Sequence, residues 1–295
     1  MVAKGIQGKA FNLEEAVETW ASQEYDMAAT RKMKKLKAKK RLQTQIDWTM
    51  VISKDETQWP KIAQSAFNEE EGDSNANEKA LTSPQLKGAL AEMGPNTKAS
   101  ILFQTVFRNN SQSPQDYTMR TEKTTRSSCT TSMETSCTKG IDMCITLKTP
   151  CEVFEANAGF HREMTLTNSE GESIEEEMTW GVESHIHVKE NHLATAMLVV
   201  EEKKYNGNFI VRSTMKGHVL ITFVNKKDNS HVYTVSGDLH KIVSDYLEEQ
   251  RAMNNSFDAF VELHEPSTVV VITQGSCDFR FGIKQQVLVD QHRIQ

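Results

Sequence analysis

Two stretches of strict alternation, one on each side of a proline, limit what this chain can become. Ile141, Met143, Ile145 and Leu147 fall on one parity, and Asp142, Cys144, Thr146 and Lys148 on the other. After Pro150-Cys151-Glu152 the pattern resumes. Phe154, Ala156, Ala158, Phe160, Met164 and Leu166 stand against Glu155, Asn157, Gly159, His161, Glu163 and Thr165, with Arg162 the one charge on the apolar side. Successive strand side chains point to opposite faces, so each stretch reads as an amphipathic strand and the pair as a hairpin. Each apolar stretch runs about ten residues, the length a tilted strand needs to cross a bilayer. The same alternation suits a soluble sandwich with one wet face, and periodicity does not choose between the two. A lone hairpin has edges that lipid cannot satisfy. Insertion therefore needs several chains to close one barrel, which implies a homo-oligomeric ring.

The tract leading into the hairpin, 121–138 (TEKTTRSSCTTSMETSCT), is mostly Ser and Thr and holds no proline. It is too polar to be expected to supply a core face. A mucin-like or disordered spacer has such a composition, but this tract lies between β-rich segments. Ile101, Phe103, Thr105 and Phe107 already alternate. Beyond the hairpin, strands are expected over 178–188, 195–202, 209–224, 232–236, 256–263, 268–274 and 279–289, with turns at Asn206-Gly207, Asp228-Asn229 and Pro266-Ser267. One helix interrupts them. Leu239, Ile242, Val243, Tyr246 and Leu247 form a single stripe behind Ser236 or Asp238 as cap.

The first 45 residues read as helix, with Asn12 as cap and Leu13, Val17, Trp20 and Ala21 at helical spacing. Residues 68–80 read as a linker, and Ser83-Pro84 opens a short helix ending near Gly94-Pro95. The expected organisation is a partly helical N-terminal region, 1–100, followed by a β module, 101–295.

The hydrophobic share is 38% and the mean hydropathy −0.54, yet the charged share of 25% is ordinary, so uncharged polar residues supply the polarity. No apolar run approaches the roughly 20 residues of a membrane helix. Met1 to Asn12 has no apolar core of a secretory leader. The net charge of −6 argues against a general nucleic-acid binder. Residues 31–41 (RKMKKLKAKKR) depart from that balance. They read as a solvated helix face, an attraction to anionic membrane, or a localisation signal. Cys129, Cys137, Cys144, Cys151 and Cys277 include no C-x-x-C, so a zinc ribbon is not expected, and their pairing stays open. His185 and His187, near His192 and Glu183, read as solvent-facing strand residues, and the acidic residues from Glu170 to Glu177 as a charged edge. No nucleophile elbow, P-loop or paired catalytic carboxylates are present, so no catalytic residue, metal or cofactor is expected.

In order and spacing, several segments resemble the aerolysin-like β-pore-forming family, in particular its epsilon-toxin and mosquitocidal-toxin branch. They are Phe107-Arg108-Asn109-Asn110-Ser111 with Gln112 and Gln115; the Ser/Thr tract entering a strand at Gly140; Pro150 near the tip; Phe160 to Leu166, a polar turn at 168–171 and the acidic strand 173–180; and Ala194 to Glu201 followed by Phe209, Gly217 and Phe223. The resemblance covers roughly 101–295. The tip departs from it, reading Thr149-Pro150-Cys151-Glu152-Val153-Phe154, where the family has an apolar residue at Pro and then Gly-Glu.

The resemblance implies a mainly β fold: an elongated, twisted antiparallel sheet or sandwich with an insertion hairpin at about 124–166. It also implies a secreted protein acting on target-cell membranes, with cytoplasmic storage before release left open. Ile141, Met143, Ile145, Leu147, Phe154, Ala156, Ala158 and Phe160 would then face lipid. Asp142, Thr146, Lys148, Glu155, Asn157, His161 and Glu163 would face the lumen. The implied partners are a lipid membrane and further copies of the chain, with room for a cell-surface receptor or glycan and none for nucleic acid. Two other readings stand beside it: a non-lytic membrane- or glycan-binding module of the same fold, and a cytosolic scaffold contacting anionic lipid or nucleic acid through 31–41.

Overall fold

The computed structural model describes residues 11–67, 88, 96–135, 145–156, 159–166, 173–257 and 259–294. Its strands are β1 (Leu42–Asp47), β2 (Val51–Ser65), β3 (Thr97–Asn109), β4 (Gln115–Thr135), β5 (Ile145–Lys148), β6 (Glu163–Leu166), β7 (Ser173–Val188), β8 (His192–Asn225), β9 (His231–Asp238), β10 (Val261–His264) and β11 (Thr268–Arg293). Its helices are α1 (Leu13–Ala28), α2 (Arg31–Ala38), α3 (Cys151–Phe154) and α4 (Leu239–Ala252). The mainly β, antiparallel fold class expected from sequence is the one found. Among the described residues nine strands form one antiparallel sheet, and β5 with β6 forms a separate two-stranded one.

β8 is the spine. Its 34 residues reach on the order of 110 Å at about 3.3 Å per residue. Along one edge it pairs with β3, β2 and β1 in succession; along the other, with β11 and then β9. β4 joins the far side of β11, and β7 joins β4. The Asn206-Gly207 turn expected from sequence does not form. Gly207 pairs with Ile62 on one side and Cys277 on the other, and ladders on both edges override a local turn preference. β11 likewise runs unbroken through Gly275. A Cβ there would lie 2.5 Å from the Phe209 ring and from the Ser132 carbonyl, so only glycine allows this approach.

One end of the spine carries a helical cap. The Asn12 side chain accepts the Glu15 N–H (3.1 Å) and Asp238 accepts the Lys241 N–H (3.1 Å), fixing the starts of α1 and α4. Leu13, Val17 and Tyr25 of α1 and Ile242 and Tyr246 of α4 pack on Val219, Ile221 and Phe223 of β8. The expected long N-terminal helix instead stops at Ala28, resumes as α2, and gives way to β1 at Leu42. β1 and β2 thus bring residues of the 1–100 region into the main sheet. At Gly217 (φ +127°), where β1 hands over to β2, a Cβ would lie 2.1 Å from the Met50 carbonyl. The expected strand at 256–263 shortens to β10. The 68–80 linker lies outside the described residues, as does the helix from Ser83 apart from Gly88.

The Asn109-Asn110-Ser111 segment is a structural corner. The buried Asn109 amide reaches the carbonyls of Ser113 (2.8 Å), Lys189 (3.1 Å) and Val188 (3.2 Å). Its Oδ1 accepts from the Ser111 N–H (2.9 Å) and hydroxyl (2.7 Å). One side chain therefore ties the β3–β4 connection to the end of β7.

Candidate functional site

The alternating segments around Pro150 form a short strap lying on the main sheet. β5 and β6 pair in register, with Ile145 opposite Leu166, Leu147 opposite Met164, and Lys148 opposite Glu163. Period-two alternation then sends Ile145, Leu147, Met164 and Leu166 to the sheet, where all four are buried. The dock beneath is built by Phe209 and Val211 of β8, Cys277, Phe279 and Phe281 of β11, and Cys129 of β4. Phe160 meets Phe279 edge-on at 5.7 Å between ring centroids.

The Ser/Thr tract does supply part of this core, contrary to expectation. Ser127, Cys129 and Thr131 are buried there, because small side chains on β4 leave room for the larger ones of β11 and the strap. The Ser127 hydroxyl has no hydrogen-bond partner, and neither have those of Ser213 and Thr273. A buried hydroxyl left unpaired costs about 1–3 kcal/mol, so this core is less stable than its area suggests. Cys129 and Cys277 are free thiols; their mutual hydrogen bond and their burial push the Cys277 thiol well above its ordinary pKa. Cys151 is exposed, and Cys137 and Cys144 lie outside the described residues.

Among the described residues, the outer edge of β5 is held by side chains alone. The Thr146 N–H donates to Asp55 Oδ2 (2.8 Å) and the Lys148 N–H to Thr57 Oγ1 (3.0 Å). The Thr57 hydroxyl reaches the Thr146 carbonyl (3.4 Å), and the Trp59 indole N–H donates to the Lys148 carbonyl (2.9 Å). Asp55, Thr57 and Trp59 share one face of β2 and imitate the neighbouring strand that β5 lacks. Trp59 also packs edge-on against Phe209 (5.9 Å), so it is both latch and wall. Sequence reasoning missed these three residues. Their parity is visible in VISKDETQWP, but no apolar period accompanies it.

The structure places the sequence-derived candidates unevenly. Ile145, Leu147 and Phe160 are buried in the dock and Ala156 packs at its margin. Phe154 does not join them. Residues 151–154 are helical rather than extended, so Val153 turns inward while Phe154 stays 40% exposed under the Arg162 guanidinium, 5.6 Å from its ring centre. Of the candidates for a lumen, Lys148, Glu155, His161 and Glu163 are exposed, and Thr146 is half-buried. Ile141, Met143, Ala158, Asp142 and Asn157 lie outside the described residues. His185 and His187 sit on the outer face of β7 beside Thr118 and Asp116 (3.2 and 2.8 Å). No described helix is long and apolar enough to cross a membrane, which says nothing about strands.

No protein-family model matches the chain, and no curated protein matches it in sequence. Solved structures do match. A non-toxic crystal protein from Bacillus thuringiensis aligns over 97% of this chain and 99% of its own, at TM-score 0.52 and 12% identity. The Mpp75Aa1.1 β-pore-forming protein from Brevibacillus laterosporus aligns over 69% of this chain and 74% of its own, at TM-score 0.39 and 9% identity. An aerolysin-like protein from Bombina maxima aligns over 81% and 98%, at 0.30 and 9%. At such identities a likeness concerns fold alone, and the first of these carries it: the two chains share one architecture from end to end.

Proposed function

We propose that this protein is a non-enzymatic, membrane-permeabilising pore former of the epsilon-toxin and mosquitocidal-toxin type. It is secreted, gathers on a target membrane, assembles into a ring of identical chains, and opens the strap into a hairpin that closes a shared β-barrel. The observation that supports this most is the way the strap is held. Among the described residues it pairs in backbone only with itself and meets the main sheet through side chains, so β5 and β6 leave without breaking a ladder of that sheet.

Six buried apolar side chains, Ile145, Leu147, Val153, Phe160, Met164 and Leu166, resist release. At ~1.5–3 kcal/mol each, exposing them to water costs on the order of 10 kcal/mol. Moving them from a protein core to a lipid core costs far less, so release is slow in solution and favoured on a membrane where copies can pair their edges.

A specific observation favours the second reading: a solved structure that aligns with this chain over nearly its whole length is of a protein described as non-toxic. A non-lytic membrane- or glycan-binding module is that alternative. Dye release from liposomes, run with a gel for a detergent-resistant oligomer, separates the two. Pore formation predicts both signals; binding without either would leave the second reading.

A further inference from the structure

The capped end of the spine joins the basic run 31–41 to two lysines far from it in sequence, Lys226 and Lys227. α2 buries none of its residues. The Tyr25 hydroxyl donates to the Met33 carbonyl (3.0 Å), and Lys37 turns back to Ser22 (2.9 Å) and Asp26, which fixes the helix on α1. The other basic residues of 31–41 are left exposed. The Lys226 N–H then donates to the Arg41 carbonyl (2.8 Å), bringing the β8–β9 turn, with exposed Lys226 and Lys227, to the same end. Asp228 is the acidic residue of that turn; hydrogen bonds from Ser230 hold its carboxyl below the usual range. Met27, 74% exposed at the end of α1, adds an apolar side chain beside this basic surface.

We infer that this end is a docking surface for anionic phospholipid headgroups, and that the protein stands on such a membrane end-on. The inference rests on the proposed membrane activity and names its partner. Three observations favour a lipid plane. The cluster is mainly lysine, a hydrated point charge without the bidentate fork that shaped recognition of a phosphate uses. The whole chain carries a net charge of −6, so an anionic surface repels its flanks and admits this end. The topology also points the strap the right way. β4 runs toward the capped end and finishes at Thr135, opposite Gln274, which pairs with Ile210; β7 starts at Ser173, opposite Thr130. From that level to Asn225 is roughly 50 Å of strand, and half of the chain between Thr135 and Ser173, extended, covers about 60 Å. A hairpin that prolongs β4 and β7 reaches the plane on which the lysines would rest.

The test is co-sedimentation of the full chain with phosphatidylcholine vesicles, with and without phosphatidylserine. Binding is expected only with phosphatidylserine and is expected to fall steeply with salt. Lys226→Ala with Lys227→Ala should weaken it about 30-fold. Lys32→Glu, Lys34→Glu and Lys35→Glu together should abolish it, with the thermal unfolding midpoint unchanged. Equal binding to both vesicles, or full binding by the triple variant, overturns the inference; so does binding to heparin or DNA without binding to vesicles, which reassigns the surface to a polyanion. Selective vesicle binding without dye release would confirm this surface and remove the pore instead.

Discussion

The capped end and the strap dock both bury aromatic and aliphatic side chains on the same spine, yet they are fastened by different means. At the cap, β1 and β9 flank β8 with backbone ladders, and two side-chain-capped helices bring Tyr25 and Tyr246 into one core with Phe223. At the dock, two four-residue strands and one helical turn rest on Phe209, Phe279 and Phe281, and the hydrogen bonds of β5 to β2 among the described residues come from the side chains of Asp55, Thr57 and Trp59. Apolar burial sets how much each region resists opening, and backbone pairing sets whether it opens alone. The cap can open only with the fold; the strap can open by itself.

The strongest way to break that comparison is to give the strap a covalent tie. Thr57→Cys with Thr146→Cys, at positions where the Thr57 hydroxyl meets the Thr146 backbone carbonyl at 3.4 Å, should prevent release once the two thiols are bridged by a short reducible dithiol crosslinker. Liposome leakage should fall to background when crosslinked and return with reductant, while either single variant reaches full leakage. Full leakage from the crosslinked double variant would mean that the strap need not leave β2. The next largest effect belongs to the cap. Phe223 lies 4.8 Å from Tyr25 between ring centroids. Phe223→Ala should cost about 3–5 kcal/mol in urea unfolding and lower global stability without selectively exposing the strap.

The two regions differed in how far the sequence showed them. The inward parity of Ile145, Leu147, Met164 and Leu166 was legible because period two is a local property. The caps at Asn12 and Asp238 were legible for the same reason. Helix α3 was not: on paper the alternation resumes at Phe154 after a tip at 150–152, but the short span between β5 and β6 folds Val153 inward. The latch was illegible because its partners are 89 to 91 positions apart, and because β2 reads as a polar strand of Lys, Glu and Gln. The unbroken course of β8 through Asn206-Gly207 was hidden by a turn signal that pairing on both edges overrules.

A smaller effect sharpens the comparison from the latch side. Thr57→Val keeps the shape and removes the hydroxyl that serves both the Lys148 N–H and the Thr146 carbonyl. About 1–3 kcal/mol should be lost, and lost locally. Hydrogen exchange at the β5 amides should speed up by one to two orders of magnitude, leakage should begin sooner, and the global unfolding midpoint should stay within error. An equal drop in the global midpoint would show that strap and sheet open together.

The smallest effect lies on the reverse face of the sheet. Arg212, of opposite parity to Val211 in the dock, pairs with Glu262 of β10, and His264 reaches the same carboxylate at 3.1 Å. Hydrogen bonds from Arg212 and then His264 hold the Glu262 carboxyl below its ordinary value. A carboxyl depressed in the folded state adds stability above its unfolded pKa and loses it as pH falls through the folded one. Acid should therefore loosen β10, which borders the cap through Val261, and leave the β2 latch in place. With both side chains about one-third exposed, solvent screening limits the contribution to roughly 0.5–1 kcal/mol. Glu262→Gln should lower stability by that amount at neutral pH and flatten its fall between neutral pH and the acid range, as read by urea midpoints. The lag before leakage should be unchanged by this substitution. A lag that shortened with Glu262→Gln would mean that the two faces of the spine are coupled and that the cap takes part in releasing the strap.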